Sequence, residues 1–324
     1  MDEVRTQEPD EPDEPDEPDE PGGGLVLARG AVAHVARTRG GARTKLRRGA
    51  YVDAAQWERL TSDERHLAHV RAVVADAVSD VVVSHWSAAL AWRLPVVGQH
   101  DDRVHLTARP SSGGRTRGDV VRHCVTDVPT GVLQAGLMVT SPARTVVDLA
   151  RVGGIAAGLV AGDAAVRCGL TDADELMAHA RRAGRGRGSR AARLVAAAVD
   201  PLAESPGESL SRARMIEHGL PLPVLQHEVR DRDGFVGRVD FWWPHVRVVG
   251  EFDGRVKYGD AQGADALWHE KLREDRLRAV ARTVVRWTWD DAWHAFPLVD
   301  RLYAAGVPLT PPASATQRAR AHPS

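Results

Sequence analysis

The sequence predicts a basic α+β N-terminal region followed by a smaller α/β domain at residues 201–305. Three observations lead there. Helical and strand-like periodicities are mixed between residues 25 and 200, which hold twenty-five Lys/Arg against sixteen Asp/Glu. The C-terminal third reads in the order helix, three-strand meander, helix, strand. Both ends of the chain have compositions that cannot bury a core. With 324 residues, 43% hydrophobic and 27% charged, the chain suffices for two domains plus tails.

Residues 1–24 hold eleven Asp/Glu and one Arg, mostly as a repeated Glu-Pro-Asp. Proline at every third position forbids a helix, and like charges keep the segment extended. It is expected to be a disordered acidic tail. Residues 25–38 read as one short helix, and 44–52 as a β-hairpin arm turning at Gly49. Residues 57–77 form an amphipathic helix with Leu60, Leu67, Val70 and Val74 on one face. Ser84 is a plausible N-cap for a short helix through Trp92. Residues 104–108 alternate like a strand. Ser141-Pro142 opens a helix over 143–150, and 155–168 and 172–182 read as two more. Residues 181–193 interleave six arginines with glycines, as a linker or a phosphate-contacting loop.

The C-terminal domain starts near Pro201. A helix over 208–218 stops at Gly219 and Pro221. Strands follow at 224–230, 235–243 and 246–253, then a helix at 265–281 and a β-branched strand at 283–289. Six of the nine tryptophans lie at or beyond Trp242, enough for a core. Residues 306–324 read as a second disordered tail. The expected divisions are therefore 1–24, 25–80, 81–200, 201–305 and 306–324.

Composition narrows the function classes. No apolar run reaches the ~18–20 residues of a membrane span, and the acidic start is no secretory signal. Two cysteines, Cys124 and Cys168, form neither a disulfide framework nor a zinc motif. A reduced, cytoplasmic protein with no membrane partner is expected. The basic surplus in 25–200 suits a phosphate backbone, although Arg-rich composition also arises from a GC-rich genome.

The chemistry concentrates on two strands. Asp240 sits on one arm of a hairpin, Glu251 and Asp253 on the other. Period-two alternation puts Glu251 and Asp253 on one face and Phe252 on the opposite one. Carboxylates are poor residues for a buried strand, and two together repel, so a cation or basic partner is expected. Hard oxygen ligands suit Mg²⁺ or Mn²⁺, as phosphodiester hydrolysis requires. Gly254 permits a turn that returns Lys257 towards the cluster, and Glu208 is a further candidate ligand. Singly, each carboxylate has an ordinary structural explanation: Asp253-Gly254 is a turn signal, Asp240 could pair with Arg238 or Arg247, and Glu208 could complement a helix dipole. In the helix at 265–281 a solvated, salt-bridged face is the default, with Glu274 and Arg278 spaced as an i,i+4 pair. His85, His105 and His123 match no compact ligand spacing and read as capped or core histidines. Ser84, His85 and Asp148 lack a nucleophile elbow.

Two resemblances follow from these residues. Arg238-Val239-Asp240-Phe241, Val249-Gly250-Glu251-Phe252-Asp253-Gly254 and Glu270-Lys271-Leu272-Arg273-Glu274-Asp275 together resemble a domain family related to the very-short-patch-repair endonucleases. That family lies within the restriction-endonuclease-like PD-(D/E)XK superfamily. The resemblance covers roughly 205–293 and implies Mg²⁺-dependent cleavage or nicking of nucleic acid, with Asp240, Glu251 and Asp253 at the acidic positions. The superfamily's lysine often falls two residues after the glutamate, where this chain has Asp253. Relatives often carry histidine three residues after the glycine, where this chain has Lys257. Upstream, Leu46-Arg47-Arg48-Gly49-Ala50-Tyr51, Ser84-His85-Trp86-Ser87-Ala88-Ala89 and 140–149 resemble the AbiEi-type antitoxins of toxin–antitoxin systems. This second resemblance implies a winged-helix-like remnant at 25–80, promoter DNA as a partner, and a cognate toxin. Little room remains before Leu46 for a recognition helix, so backbone contact by Arg43, Lys45, Arg47 and Arg48 is expected over base readout. The expected function is a Mg²⁺-dependent endonuclease; the alternative is a non-catalytic DNA-binding regulator.

Overall fold

The computed structural model describes residues 26–27, 42–77, 81–98, 102–110, 118–126, 128–254 and 264–309, with side chains left aside at 26–27 and 264–270. Residues 1–24 and 310–324 and Lys257 lie outside the described residues, whereas Val307, expected in the C-terminal tail, is fully buried in a hydrophobic core with Leu302 because its apolar side chain packs back on the last helix. The chain divides into two units, Met1–Thr61 and Ser62–Ser324.

In the first unit, β1 (Val26–Leu27), β2 (Arg43–Arg47) and β3 (Ala50–Asp53) form a sheet with β3 in the middle. The β2–β3 hairpin is the expected arm, and Gly49 turns it at φ +81°. Val26 and Leu27 correct the expected helix at 25–38, because they pair antiparallel with β3; residues 28–38 lie outside the described residues. Asp53 caps α1 (Ala54–Arg59) by accepting from the Gln56 N–H at 3.1 Å. The single helix expected over 57–77 is two. Leu60 is extended (ψ 138°), which ends α1, and α2 (Ser62–Ala75) restarts with Asp63 and Glu64 in its first turn.

The second unit begins with α2 and a five-stranded sheet. Its strands are β4 (Val82–Val83), β5 (Val104–Ala108), β6 (Val120–Cys124), β7 (Val132–Gln134) and β8 (Leu137–Val139), in the order β6-β5-β4-β8-β7. Only β5 was expected; β4, β7 and β8 have two or three residues, too few for a periodic signal, and β6 reads Val-Val-Arg-His-Cys, which does not alternate. Val70 and Val73 of α2 pack with Val83, Val104, Leu106 and Val139. The helix α3 (His85–Ala91) follows Ser84 as expected, but the Ser84 hydroxyl contacts His85 Nδ1 at 2.9 Å instead of a helical N–H.

Helix α4 (Pro142–Arg167) opens as expected, with Ser141 Oγ accepting from the Arg144 N–H at 3.3 Å. Gly154, at φ +81° and ψ −167°, divides it into the two helical segments that the sequence separates. Among the described residues α4 is long and apolar enough to cross a membrane, which corrects the expectation that no segment qualifies. The kink interrupts it, and most of its residues are buried in the protein core. Helices α5 (Ala173–Arg182) and α6 (Ser189–Ala198) follow, so the Arg/Gly stretch 181–193 is a short connection flanked by helix.

The C-terminal elements come in the expected order. Helix α7 (Pro206–Glu217) leads into β9 (Val224–Asp231), β10 (Gly234–Trp243) and β11 (Val248–Asp253), then α8 (Ala264–Val280) and β12 (Thr283–Thr288). Two more helices, α9 (Trp289–His294) and α10 (Phe296–Ala304), close the described chain. The sheet order is β12-β11-β10-β9, with β12 parallel to β11 and the other pairs antiparallel. One face carries Leu225, Phe241, Trp243, Val248 and Trp287 into a large core. Val229, Val239, Val249 and Leu277 form a second core that includes α8.

The boundary expected near Pro201 is bridged. The large core runs without interruption from Trp86, Leu149 and Leu159 to Leu210, Phe241 and Leu302. Asp163 of α4 also meets Arg212 of α7 at 2.5 Å, both almost wholly buried, and accepts the Asp200 N–H at 2.9 Å. Burial alone pushes the Asp163 carboxyl up, and the guanidinium opposes it. Removing one member of a buried pair strands the other charge in a medium that solvates it poorly. Arg212→Ala should therefore cost about 3–5 kcal/mol of stability, read as a lowered urea midpoint at unchanged slope.

Candidate active site

The antiparallel ladder of β10 and β11 runs from Trp243↔Val248 to Phe241↔Gly250. Beyond it the Phe252 N–H donates to Asp240 Oδ2 at 2.8 Å. A carboxylate has taken the place of a strand carbonyl at the point where the ladder ends. On the other side of β10, the pairs His227↔Val239 and Leu225↔Phe241 leave Gln226 facing Asp240. Gln226 has φ +51°, uncommon for a side chain with a Cβ, and its amide donates to Glu208 Oε2 at 3.0 Å.

Glu208 is buried on the first turn of α7. Its N–H donates to Ser205 Oγ at 3.2 Å, Ser205 Oγ donates to Glu208 Oε1 at 2.7 Å, and the Glu204 N–H donates to Oε2 at 3.0 Å. With Gln226, both carboxylate oxygens are engaged, so Glu208 locks the helix start and orients Gln226. The structure thus favours the helix-terminal reading of Glu208 over the ligand one. The next residue back is Gly207, where an added Cβ would lie 2.0 Å from the Phe252 ring. Only glycine lets α7 approach β11 this closely, which brings Glu208 beside Asp240.

Asp240 is half-buried, and its carboxyl is pushed up to about 6. Burial is the largest cause; the carboxylates of Glu208, Glu251 and Glu204 add to it, and the Phe252 N–H opposes it. Neither arginine considered from the sequence neutralises Asp240. Arg238 pairs with Glu204 at 2.8 Å, and Arg247 donates to the Val280 carbonyl at 3.1 Å.

Glu251 differs. Arg273 of α8 reaches Oε1 and Arg286 reaches Oε2, each at 2.8 Å. Arg286 is the register partner of Glu251 across the parallel β11–β12 pair. Arg273 lies across β10 at Gly237, where any Cβ would come within 2.7 Å of its Nε. Asp253 ends β11 half-buried, opposite Thr288. The turn after Gly254 and Lys257 lie outside the described residues, so the expected return of Lys257 to the cluster does too. On α8, the Glu274–Arg278 pair forms at 2.8 Å as spaced, whereas Arg276 reaches Asp231 of β9 at 2.7 Å.

Of the residues singled out in the sequence, Glu251 and Glu208 lie near enough to act on the Asp240 charge, and the structure adds Gln226, Arg273 and Arg286. These three are supplied by strand register and helix packing and have no local signal. Elsewhere, the donor atoms of His85, His105 and His123 lie within 4.8 Å of one another. Among the described residues they converge this closely despite spacings that matched no motif. Asp148, considered with Ser84 and His85, is held by Arg144 at 2.8 Å.

No family model matches the chain, and no solved structure matches it. Among curated proteins it is similar to two uncharacterized proteins of Mycobacterium tuberculosis, from strains CDC 1551 / Oshkosh and ATCC 25618 / H37Rv. Each match is 36% identical over 160 residues, covering 48% of this chain and 57% of the relative. The chain thus spans little more than half the length of the curated relatives it matches.

The Asp240 environment has a measurable consequence. Its folded pKa of about 6 exceeds the ordinary 3.8, so the folded state holds its proton where the unfolded chain has lost it. Stability from this group is complete below the ordinary value and declines as pH rises towards 6. Asp240→Asn removes the ionisation. Without added metal, its melting temperature relative to wild type should be higher at pH 8 than at pH 4, by thermal denaturation at both.

Proposed function

We propose that the C-terminal elements α7 to β12 form a divalent-cation-dependent nucleic-acid phosphodiesterase of the restriction-endonuclease-like kind, with DNA as the substrate. The order α7, antiparallel β9-β10-β11, α8 and parallel β12 is what the PD-(D/E)XK resemblance implies. The observation that carries the reading is Asp240. This carboxylate stands among three others, with one oxygen fixed by a backbone N–H and, among the described residues, no arginine against it.

The donor set fits a hard cation: oxygen ligands, crowded negative charge, and a half-buried position open to water. Asp240 and Glu251 would hold Mg²⁺ or Mn²⁺, with Asp253 as a further ligand or base and Lys257 as the electrostatic partner implied by the resemblance. Bound there, the cation would supply Lewis acidity towards a phosphate and a more acidic water. The chain's own contribution is positioning. The Phe252 N–H fixes Asp240, while Glu208 and Gln226 hold the wall of the site. Arg273 and Arg286 supply positive charge beside it, suited to a phosphate oxygen. The basic hairpin of the N-terminal unit, with Arg43, Lys45, Arg47 and Arg48, would meet the phosphate backbone in the manner of a wing.

A second reading has one specific observation behind it: both oxygens of Glu251 are already matched by arginines. On that reading the protein is an antitoxin-like DNA-binding regulator, paired with a cognate toxin, that keeps the nuclease fold without turnover. Titration calorimetry of Mg²⁺ and Mn²⁺ into wild type and Asp240→Asn separates the two when combined with plasmid cleavage. The nuclease reading expects cation binding lost in Asp240→Asn, and cleavage reduced about 100-fold or more in Asp240→Ala and Glu251→Ala. Salt-sensitive DNA retention with no cation binding and no cleavage in wild type would favour the regulator.

A further inference from the structure

We propose that His85, His105 and His123 form a binding site for a zinc-class transition-metal ion, separate from the carboxylate site. Three elements of the five-stranded-sheet region supply the ligands. His85 opens α3, His105 lies on β5 and His123 on β6. In the parallel β5–β6 register Thr107 faces His123, and alternation puts His105 and Thr107 on the same face. Their donor atoms all lie within 4.8 Å of one another, and His85 and His105 are buried.

The close contacts are those of a ligand set at rest. His105 Nδ1 and His123 Nε2 are 3.0 Å apart, sharing one hydrogen. The His85 and His123 rings stack at 3.5 Å between centroids and 13° between planes. Coordination replaces the shared hydrogen with the ion, moves that proton to the other nitrogen of its ring, and turns His85 out of the stack. Ser84 Oγ on His85 Nδ1 leaves Nε2 as the coordinating atom and holds the ring, as outer partners of metal-binding histidines do. Alternation directs the exposed Cys124 away from His123, so sulfur is not part of the set.

Two further features point to a ligand here. His85 has φ +52°, a strained conformation for a residue with a Cβ, and strain of this kind collects at functional sites. The Thr107 hydroxyl and the Trp86 indole N–H are buried without a hydrogen-bond partner among the described residues; both flank the histidines and can serve a water or anion on the ion. Three imidazole nitrogens with a position left for solvent suit Zn²⁺ or Co²⁺ far better than Mg²⁺.

The test is cobalt substitution in the full-length chain after dialysis against a chelator. One equivalent of Co²⁺ should give the intense visible absorption of a four-coordinate ion, and Zn²⁺ should abolish it. His105→Gln/His123→Gln, checked for folding by circular dichroism, should lose those bands. Ser84→Ala should keep them but bind Zn²⁺ roughly 10-fold more weakly, within the range for outer-partner changes. Should the double variant fail to fold, ring ¹⁵N resonances of wild type decide the matter, because one equivalent of Zn²⁺ must shift those of all three histidines. Absence of four-coordinate bands in wild type, retention of them in the folded double variant, or unshifted ring nitrogens would each overturn the proposal.

Discussion

The strand β11 lies between two neighbours of opposite polarity, antiparallel β10 and parallel β12, with a hydrophobic core against each face. Val248 and Val249 are fully buried on opposite faces, so neither a register slip nor a rotation is available to this strand. That constraint decides where Glu251, Phe252 and Asp253 end. It also makes the end of the β10–β11 ladder a fixed place, where the Asp240 carboxylate completes the hydrogen bonding of Phe252.

Charge is distributed unevenly across that place. Glu251 is matched twice, by an arginine on the next strand and another on α8, so its charge is well compensated. Asp240 sits a strand away in a crowd of carboxylates with, among the described residues, the Phe252 N–H in its favour. Two of the three acidic positions of the resemblance, Asp240 and Glu251, therefore have opposite electrostatic characters. A cation placed between them would relieve Asp240 and free Arg273 and Arg286 to meet an anionic partner. The same charges without a cation make a scaffold whose basic side chains are already engaged.

The histidine cluster rests on a different principle. The carboxylates of Asp240 and Glu251 gather half-buried where the ladder between two central strands ends, whereas these imidazoles are packed into a sheet face beside Trp86. A neutral imidazole tolerates that burial, at the expense of its ability to hold a proton. A neutral ring still carries one nitrogen lone pair to offer a partner, as in the hydrogen bond between His105 and His123. Two clusters of polar side chains thus lie in one unit, carboxylate oxygens at one sheet and imidazole nitrogens at another.

Much of this was legible in the residues. The hairpin at Gly49, the Ser141-Pro142 helix start and the order of α7 to β12 all come from local chemistry: a turn residue, a cap, a change of period. So does the placing of Asp240 and of Glu251 with Asp253 on neighbouring strands. The helix at 57–77 misled because a continuous apolar face does not reveal that Leu60 turns extended. Residues 26–27 misled because a strand of two residues draws its stability from the partner it pairs with. What stood outside the sequence's reach was every relation between distant segments. Arg286 meets Glu251 through parallel register, Arg273 through the gap left by Gly237, Gln226 faces Asp240 through antiparallel register, and three histidines converge across thirty-eight residues of sequence. Periodicity reports which way a side chain faces on its own element. Which element it faces is set by packing of the whole core, and only the tertiary structure contains that.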